Sequence, residues 1–205
     1  MLHALLDDLD GTVADTTWIY EKVSGELCAE LGIPFDAGTF LEHGAKAPQE
    51  WLEEMKIDEA RSTIYKNEFG KRARVLLAAH ADWRTGARKA FTYLQENDVP
   101  RAIITTAKII SVDVIDTRLG IRAFIQHIVG GEHVDPKFKP KPHGLLIARS
   151  KINVDPAHCG YVGDQKSDML AARNAGMTGI LIPNRHTHPD AFPAADIVVS
   201  HHDEI

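Results

Sequence analysis

The chain has 205 residues, 44 % hydrophobic and 25 % charged, which suits one domain with a sizeable insertion and is too short for two full domains. Net charge is −6 with histidine neutral, which disfavours nucleic acid as a partner and repels anions except where cations gather locally. Two distant cysteines, Cys28 and Cys159, no apolar run of membrane-spanning length, and a start broken by carboxylates before any signal-type stretch lead us to expect a cytoplasmic protein with free buried thiols and no membrane contact.

Ala4-Leu5-Leu6 reads as a buried strand that delivers the loop Asp8-Leu9-Asp10-Gly11-Thr12. Ile19, Val23, Leu27 and Leu31 then recur every four residues and stop at Gly32 and Pro34, the pattern of an amphipathic helix with a stop signal. Helical, charge-laced sequence continues to about Ala79, with Trp51, Leu52 and Met55 on one stripe. After Gly86 the rhythm changes. A helix carrying Ala87, Ala90, Phe91 and Leu94 leads to a β-branched strand, Arg101-Ala102-Ile103-Ile104-Thr105. Then follow a helix over 110–119 closed by Gly120, a strand over 124–129, a helix over 145–150, and a strand over 159–162. A helix over 168–175 closed by Gly176, a strand over 179–182, and a last strand over 195–199 complete the series. Strands alternating with helices predict an α/β fold, a Rossmann-like parallel sheet covered by helices on both faces. The core is assigned to residues 1–15 and 86–205, and residues 16–85 to an inserted helical domain.

Open parallel sheets bind ligands at the carboxyl ends of their strands. The polar residues at those ends form a consistent set: Asp8 and Asp10, Thr105, and Asp164 with Asp168, with Lys139 in Lys137-Phe138-Lys139-Pro140-Lys141-Pro142 just before a helix. Strand side chains alternate, so residues two apart face one site, and Asp8 and Asp10 address the same centre. Gly11 permits a tight turn, and Thr12 is expected to tie the loop to neighbouring backbone. Acids and a lysine at one sheet edge suit a divalent metal and a phosphate.

These segments resemble, in order, the four motifs of the haloacid dehalogenase-like hydrolase superfamily. Asp8-Leu9-Asp10-Gly11-Thr12-Val13 is similar to the first and Thr105 after Ala102-Ile103-Ile104 to the second. Lys139-Pro140-Lys141-Pro142 is similar to the third, and Tyr161-Val162-Gly163-Asp164-Gln165-Lys166-Ser167-Asp168 with Ala171-Ala172-Arg173-Asn174-Ala175-Gly176-Met177 to the fourth. The insertion resembles the α-helical cap of phosphoglycolate phosphatase and β-phosphoglucomutase relatives. The resemblance implies Asp8 as nucleophile and Asp10 as acid and base. It implies Mg²⁺ on Asp8, the Asp10 backbone carbonyl and Asp164, with Asp168 a direct or outer ligand. Lys139, Thr105 and the neighbouring Thr106 would hold phosphoryl oxygens. The implied substrate is a small phosphorylated metabolite, hydrolysed by a monomer or homodimer; a phosphosugar mutase and a non-enzymatic phosphoacceptor switch are the alternatives. Hinges are expected near residues 14–17 and 80–86. Lys46, after Gly44, falls where relatives carry a substrate-facing loop. Asp7 departs from the family pattern and should point away from the site toward a cation the sequence does not identify. His186, His188, His201 and His202 match no standard zinc spacing and read as surface or tail residues.

Overall fold

The computed structural model describes residues 2–36, 38–40 and 48–205. Lys46 lies outside the described residues.

Six parallel strands form the expected sheet. β1 (Ala4–Asp7) is central. Two short strands appear before the next member of this sheet, β2 (Ala14–Asp15) and β3 (Asp82–Trp83). The main sheet continues with β4 (Arg101–Ile104), β5 (His127–Val129), β6 (Cys159–Gly163), β7 (Thr178–Leu181) and β8 (Ile197–Val198). Their order is β5-β4-β1-β6-β7-β8. The chain leaves β1 for β4 on one side, runs out to β5, then crosses back to β6 on the other side. That reversal at β1 opens a crevice at the carboxyl ends of β1, β4 and β6, where such sheets take ligands.

The two faces follow from alternation along each strand. Leu6, Ala102, Ile104 and Tyr161 point to one face, covered by helices His143–Ile152 and Lys166–Ala175. Ile103 points to the other and packs with Phe91, Val112 and Ile115 of helices Ala87–Glu96 and Ile109–Leu119. With the earlier helices Thr17–Leu31, Pro48–Glu54 and Glu59–His80, these are α1 to α7 in chain order. α1, α5 and α7 end on Gly32, Gly120 and Gly176 in left-handed conformation, as the stop signals predict.

α1, α2 and α3 enter the chain between β1 and β4 and bury their own cluster of Val23, Leu27, Trp51, Leu52, Tyr65 and Ala73, joined by Met55. The segments leading into and out of these helices pair as the antiparallel strands β2 and β3, Ala14 opposite Trp83 and Asp15 opposite Asp82. This pairing lies where hinges were expected and was not foreseen, because two-residue strands carry no periodicity.

Some boundaries differ from the sequence reading. The strand expected over 124–129 begins at His127. Phe124 follows a short 3₁₀ turn, Ile121–Ala123, and its ring meets Trp83 and Phe91 edge-on, so packing claims it for an aromatic cluster. α7 begins two residues early, at Lys166, because Asp168 accepts the Gln165 amide and caps the helix start. Cys28 and Cys159 are free and buried. No described helix is long and apolar enough to cross a membrane.

Candidate active site

The acids at the end of β1 are positioned by the sheet. The Asp8 amide donates to Val162 O at 2.8 Å, which continues the β1–β6 ladder one residue past the strand and fixes the Asp8 backbone. The chain then folds back on itself, with Gly11 N donating to Ala14 O and Ala14 N to Leu9 O. Gly11 sits at φ 87°, and a Cβ there would lie 2.5 Å from Thr17 Oγ1 and 2.7 Å from Asp164 Oδ2. Only glycine fits, for both its dihedral and its space.

Lys139 lies at the centre of the cluster. Its loop is held by Phe138, packed against the core, and by Asn174 Nδ2, which donates to Pro140 O at 2.9 Å. Its Nζ donates to Asp8 Oδ1 at 2.5 Å, Asp168 Oδ1 at 2.6 Å and the Tyr161 hydroxyl at 3.2 Å. The lysine side chain is 9 % exposed, Asp8 7 % and Asp168 1 %. The second Asp168 oxygen accepts from Gln165 N at 3.0 Å, so one carboxylate caps a helix and holds the lysine. Gly163 makes room for it: a Cβ at that position would meet Asp168 Cβ at 2.4 Å.

Asp164 follows β6 and is also buried. Its Oδ1 accepts from Thr12 Oγ1 at 3.1 Å, and its Oδ2 accepts from Asn184 Nδ2 at 2.7 Å and Gln165 Nε2 at 2.8 Å. Thr12 thus ties its loop to a carboxylate 152 residues away rather than to neighbouring backbone. Asp8, Asp164 and Asp168 each offer an oxygen within 4.8 Å of the others.

Asp10 occupies a separate niche. Thr16 Oγ1 donates to its Oδ1 at 2.6 Å and Thr105 Oγ1 to its Oδ2 at 3.3 Å. Thr105 Oγ1 in turn accepts from Ala107 N at 3.0 Å, which shapes the loop after β4. The Tyr20 hydroxyl is buried beside Asp10 and favours the ionised form of that acid.

The electrostatics follow from this crowding. Burial drives the Asp8 carboxyl well above the ordinary carboxylate value; Lys139 pulls it back, and Asp168 and Asp164 push it further up. Burial and Asp168 push Asp164 up to about 6. Burial also raises Asp10, against contacts from Thr16, Tyr20 and Thr105. Burial opposes the Lys139 ammonium, yet Asp168 and Asp8 outweigh it and hold the lysine protonated well beyond its usual range. Three buried carboxylates facing one ammonium leave an excess of negative charge, the donor set that a hard divalent cation fits.

The structure therefore brings together Asp8, Asp10, Thr105, Lys139, Asp164 and Asp168 from four distant segments. They line one cavity of about 630 Å³ together with Thr106 and with Tyr20, Phe35, Trp51 and Tyr65 of the inserted region. Sequence reading missed Thr16, Tyr161, Asn184 and His186, whose roles arise only from pairing across the fold. It also misjudged two histidines. His186 lines the cavity with its side chain 11 % exposed, and His202 is buried at 2 % exposure. Asp7 turns away from the cluster to a buried ion pair with Arg101, Nη2 to Oδ2 at 2.6 Å.

A doubly covered parallel sheet gathering carboxylates, a threonine and a lysine at the carboxyl end of its central strands defines a class of α/β enzyme with an acid-rich site at the switch point. The chain belongs to the haloacid dehalogenase-like hydrolases, whose family model matches residues 5–182. It is 26 % identical over 207 residues to an N-acetylmuramic acid 6-phosphate phosphatase of Pseudomonas putida, covering 98 % of this chain and 92 % of that one. It is 29 % identical over 182 residues to a phosphoglycolate phosphatase of Xanthomonas campestris, covering 87 % and 81 %. Among solved structures, CbbY from Rhodobacter sphaeroides in complex with phosphate superposes with a TM-score of 0.87 at 22 % identity, covering 100 % of this chain and 96 % of that one.

Proposed function

We propose that this hydrolase is a Mg²⁺-dependent phosphatase that cleaves a small phosphate monoester through an aspartyl-phosphate on Asp8. The observation that carries the reading is the Asp8 carboxylate, buried at the end of β1, touching Lys139 and sharing a 4.8 Å cluster with Asp164 and Asp168. The relatives named as phosphatases of phosphorylated sugars and phosphoglycolate support the substrate class.

In this reading an Asp8 oxygen attacks phosphorus, and the bond from phosphorus to the substrate oxygen breaks. Asp10 gives the leaving alkoxide its proton. Its raised pKa favours holding one, and Thr16 and Thr105 keep the carboxyl in place. Asp10 then takes a proton from water, the water oxygen attacks phosphorus, and Asp8 is released with inorganic phosphate. Lys139 and Thr105, with Thr106 beside it, hold the phosphoryl oxygens, and Asp168 and Tyr161 keep the ammonium in place. Asp8, the Asp10 carbonyl and Asp164 would hold Mg²⁺. Asp168, with one oxygen paired to the Lys139 ammonium and the other capping α7, would support them from behind. The bound ion supplies positive charge that offsets the repulsion between Asp8 and the phosphate. Residues 16–85 serve as a cap over residues 1–15 and 86–205, and the free thiols fit a reducing cytoplasm.

The test is a screen of phosphorylated metabolites with Mg²⁺, scoring free phosphate. Release is expected for a small monoester; isomer formation without phosphate would make the chain a mutase. Asp8→Asn should retain the wild-type circular dichroism spectrum and lose about 10⁴-fold or more in kcat. An Asp8→Asn protein that turns over at the wild-type rate ends the proposal.

A further inference from the structure

His186 stands on the loop after β7, and Glu21 stands on α1 in the inserted region. They meet side chain to side chain, His186 Nε2 to Glu21 Oε2 at 2.8 Å. Arg185 Nη2 reaches the same glutamate oxygen at 3.3 Å, and the Phe40 ring meets the imidazole edge-on at 5.5 Å between centroids. The contact is well sheltered, with the histidine side chain 11 % and the glutamate 28 % exposed.

The far side of His186 leads to the acid cluster by two routes. Its amide donates to Asn184 Oδ1 at 2.7 Å, and Asn184 Nδ2 donates to Asp164 Oδ2 at 2.7 Å and Gly11 O at 3.0 Å. Its carbonyl accepts from Gln165 Nε2 at 3.1 Å, and that nitrogen also donates to Asp164 Oδ2 at 2.8 Å. Both routes end on the same carboxylate oxygen. The loop between them is stiffened from within: Asn184 N donates to Thr187 Oγ1 at 2.9 Å and Thr187 N to Asn184 O at 3.1 Å. A displacement of α1 that pulls on His186 therefore shifts both side-chain amides that hold Asp164 Oδ2, while Thr12 holds the other oxygen. Outer partners of this kind set the orientation of a metal-binding carboxylate.

We propose that His186 and Glu21 form a clasp that couples the seating of α1 to the orientation of Asp164. They act as positioning residues for metal binding rather than as groups that touch the reacting atoms. The inference rests on the assignment of Asp164 to the metal site, but its test needs no substrate.

The experiment is calorimetric titration of Mg²⁺ into the substrate-free protein, comparing wild type with Glu21→Ala, His186→Ala, the double variant and Glu21→Gln. Each single alanine variant is expected to weaken Mg²⁺ binding by about 3- to 10-fold. The double variant should lose no more than the worse single, because both remove one contact. Glu21→Gln keeps an acceptor for the imidazole N–H and should stay within about twofold of wild type. Hydrogen exchange should rise together in α1 and in the loop after β7 in both alanine variants. Glu21 is half-buried and belongs to no core cluster, so its variants keep the test open should His186→Ala not fold. Unchanged Mg²⁺ affinity in Glu21→Ala, or losses that add in the double variant, overturns the clasp. A wild-type protein that binds Mg²⁺ yet hydrolyses no phosphate ester sinks the phosphatase assignment alone and leaves this comparison intact.

Discussion

At the scale of single residues, Asp7 shows how a fold accommodates an acid next to its central cluster. Its carboxylate and the Arg101 guanidinium are both 1 % exposed, and the guanidinium carbon lies 3.2 Å from the centroid of the Phe91 ring. Arg101 Nε and Nη1 have no hydrogen-bond partner among the described residues, so Asp7 is the main compensation for a buried cation. Taking one partner from such a pair strands the other charge, whereas apolar replacement of both is often neutral. Asp7→Ala should therefore lose about 3–5 kcal/mol in urea denaturation, and Asp7→Leu with Arg101→Met should recover most of it. A loss below about 1 kcal/mol for Asp7→Ala would show that water reaches the arginine. The need for a cation was legible from the sequence, because an acid in an apolar strand must be paired. Its identity was not, since Arg101 lies 94 residues away and joins Asp7 only when β1 and β4 align.

At the scale of elements, the loop between β1 and β2 does most to build the site. Asp8, Asp10, Gly11 and Thr12 lie within five residues, so the shared facing of the two acids could be read from spacing, their chemical roles only from the family resemblance, and the strand before them from its apolar run. Thr16, Tyr161 and Asn184 could not be read so. A threonine before a helix, a tyrosine within a strand and an asparagine in a loop each have common structural uses, and only the folded pairing singles them out. Gly11 in this loop and Gly32 at the end of α1, both at positive φ, make a clean comparison. Gly32, at φ 63°, would place a Cβ in open space, whereas one at Gly11 would strike Thr17 and Asp164. Gly32→Ala should cost about 1–2 kcal/mol of stability from backbone strain alone and leave Mg²⁺ affinity unchanged. Gly11→Ala should add displacement of Asp164, with Mg²⁺ binding weakened about 10-fold or more by calorimetry. Equal effects of the two substitutions on metal binding would contradict the placement of Asp164 beside Gly11.

At the scale of the whole molecule, the parallel sheet and its helices were legible because strand and helix periods alternate along the chain and glycines stop α1, α5 and α7. The pairing of β2 with β3 and the burial of His202 were not, since both depend on where distant segments come to rest. What composition does set at this scale is the field. The net charge of −6 is spread over a chain whose site holds Asp8, Asp10, Asp164 and Asp168 against Lys139. On the proposed reading, a phosphate ester dianion approaches against a general repulsion and would be drawn in only close to the lysine and the cation that the acid cluster would hold. Salt shortens the range of the repulsion to about 10 Å at 0.1 M, and it screens buried contacts much less. At fixed saturating Mg²⁺, kcat/KM for a dianionic substrate should therefore rise roughly twofold between about 10 and 150 mM KCl, with kcat nearly constant. A neutral competitive inhibitor should show no such slope. A fall in kcat/KM with salt would mean that cations at the cavity mouth, Lys66 and Lys108 among its lining residues, dominate the approach and that net charge is the wrong guide to encounter.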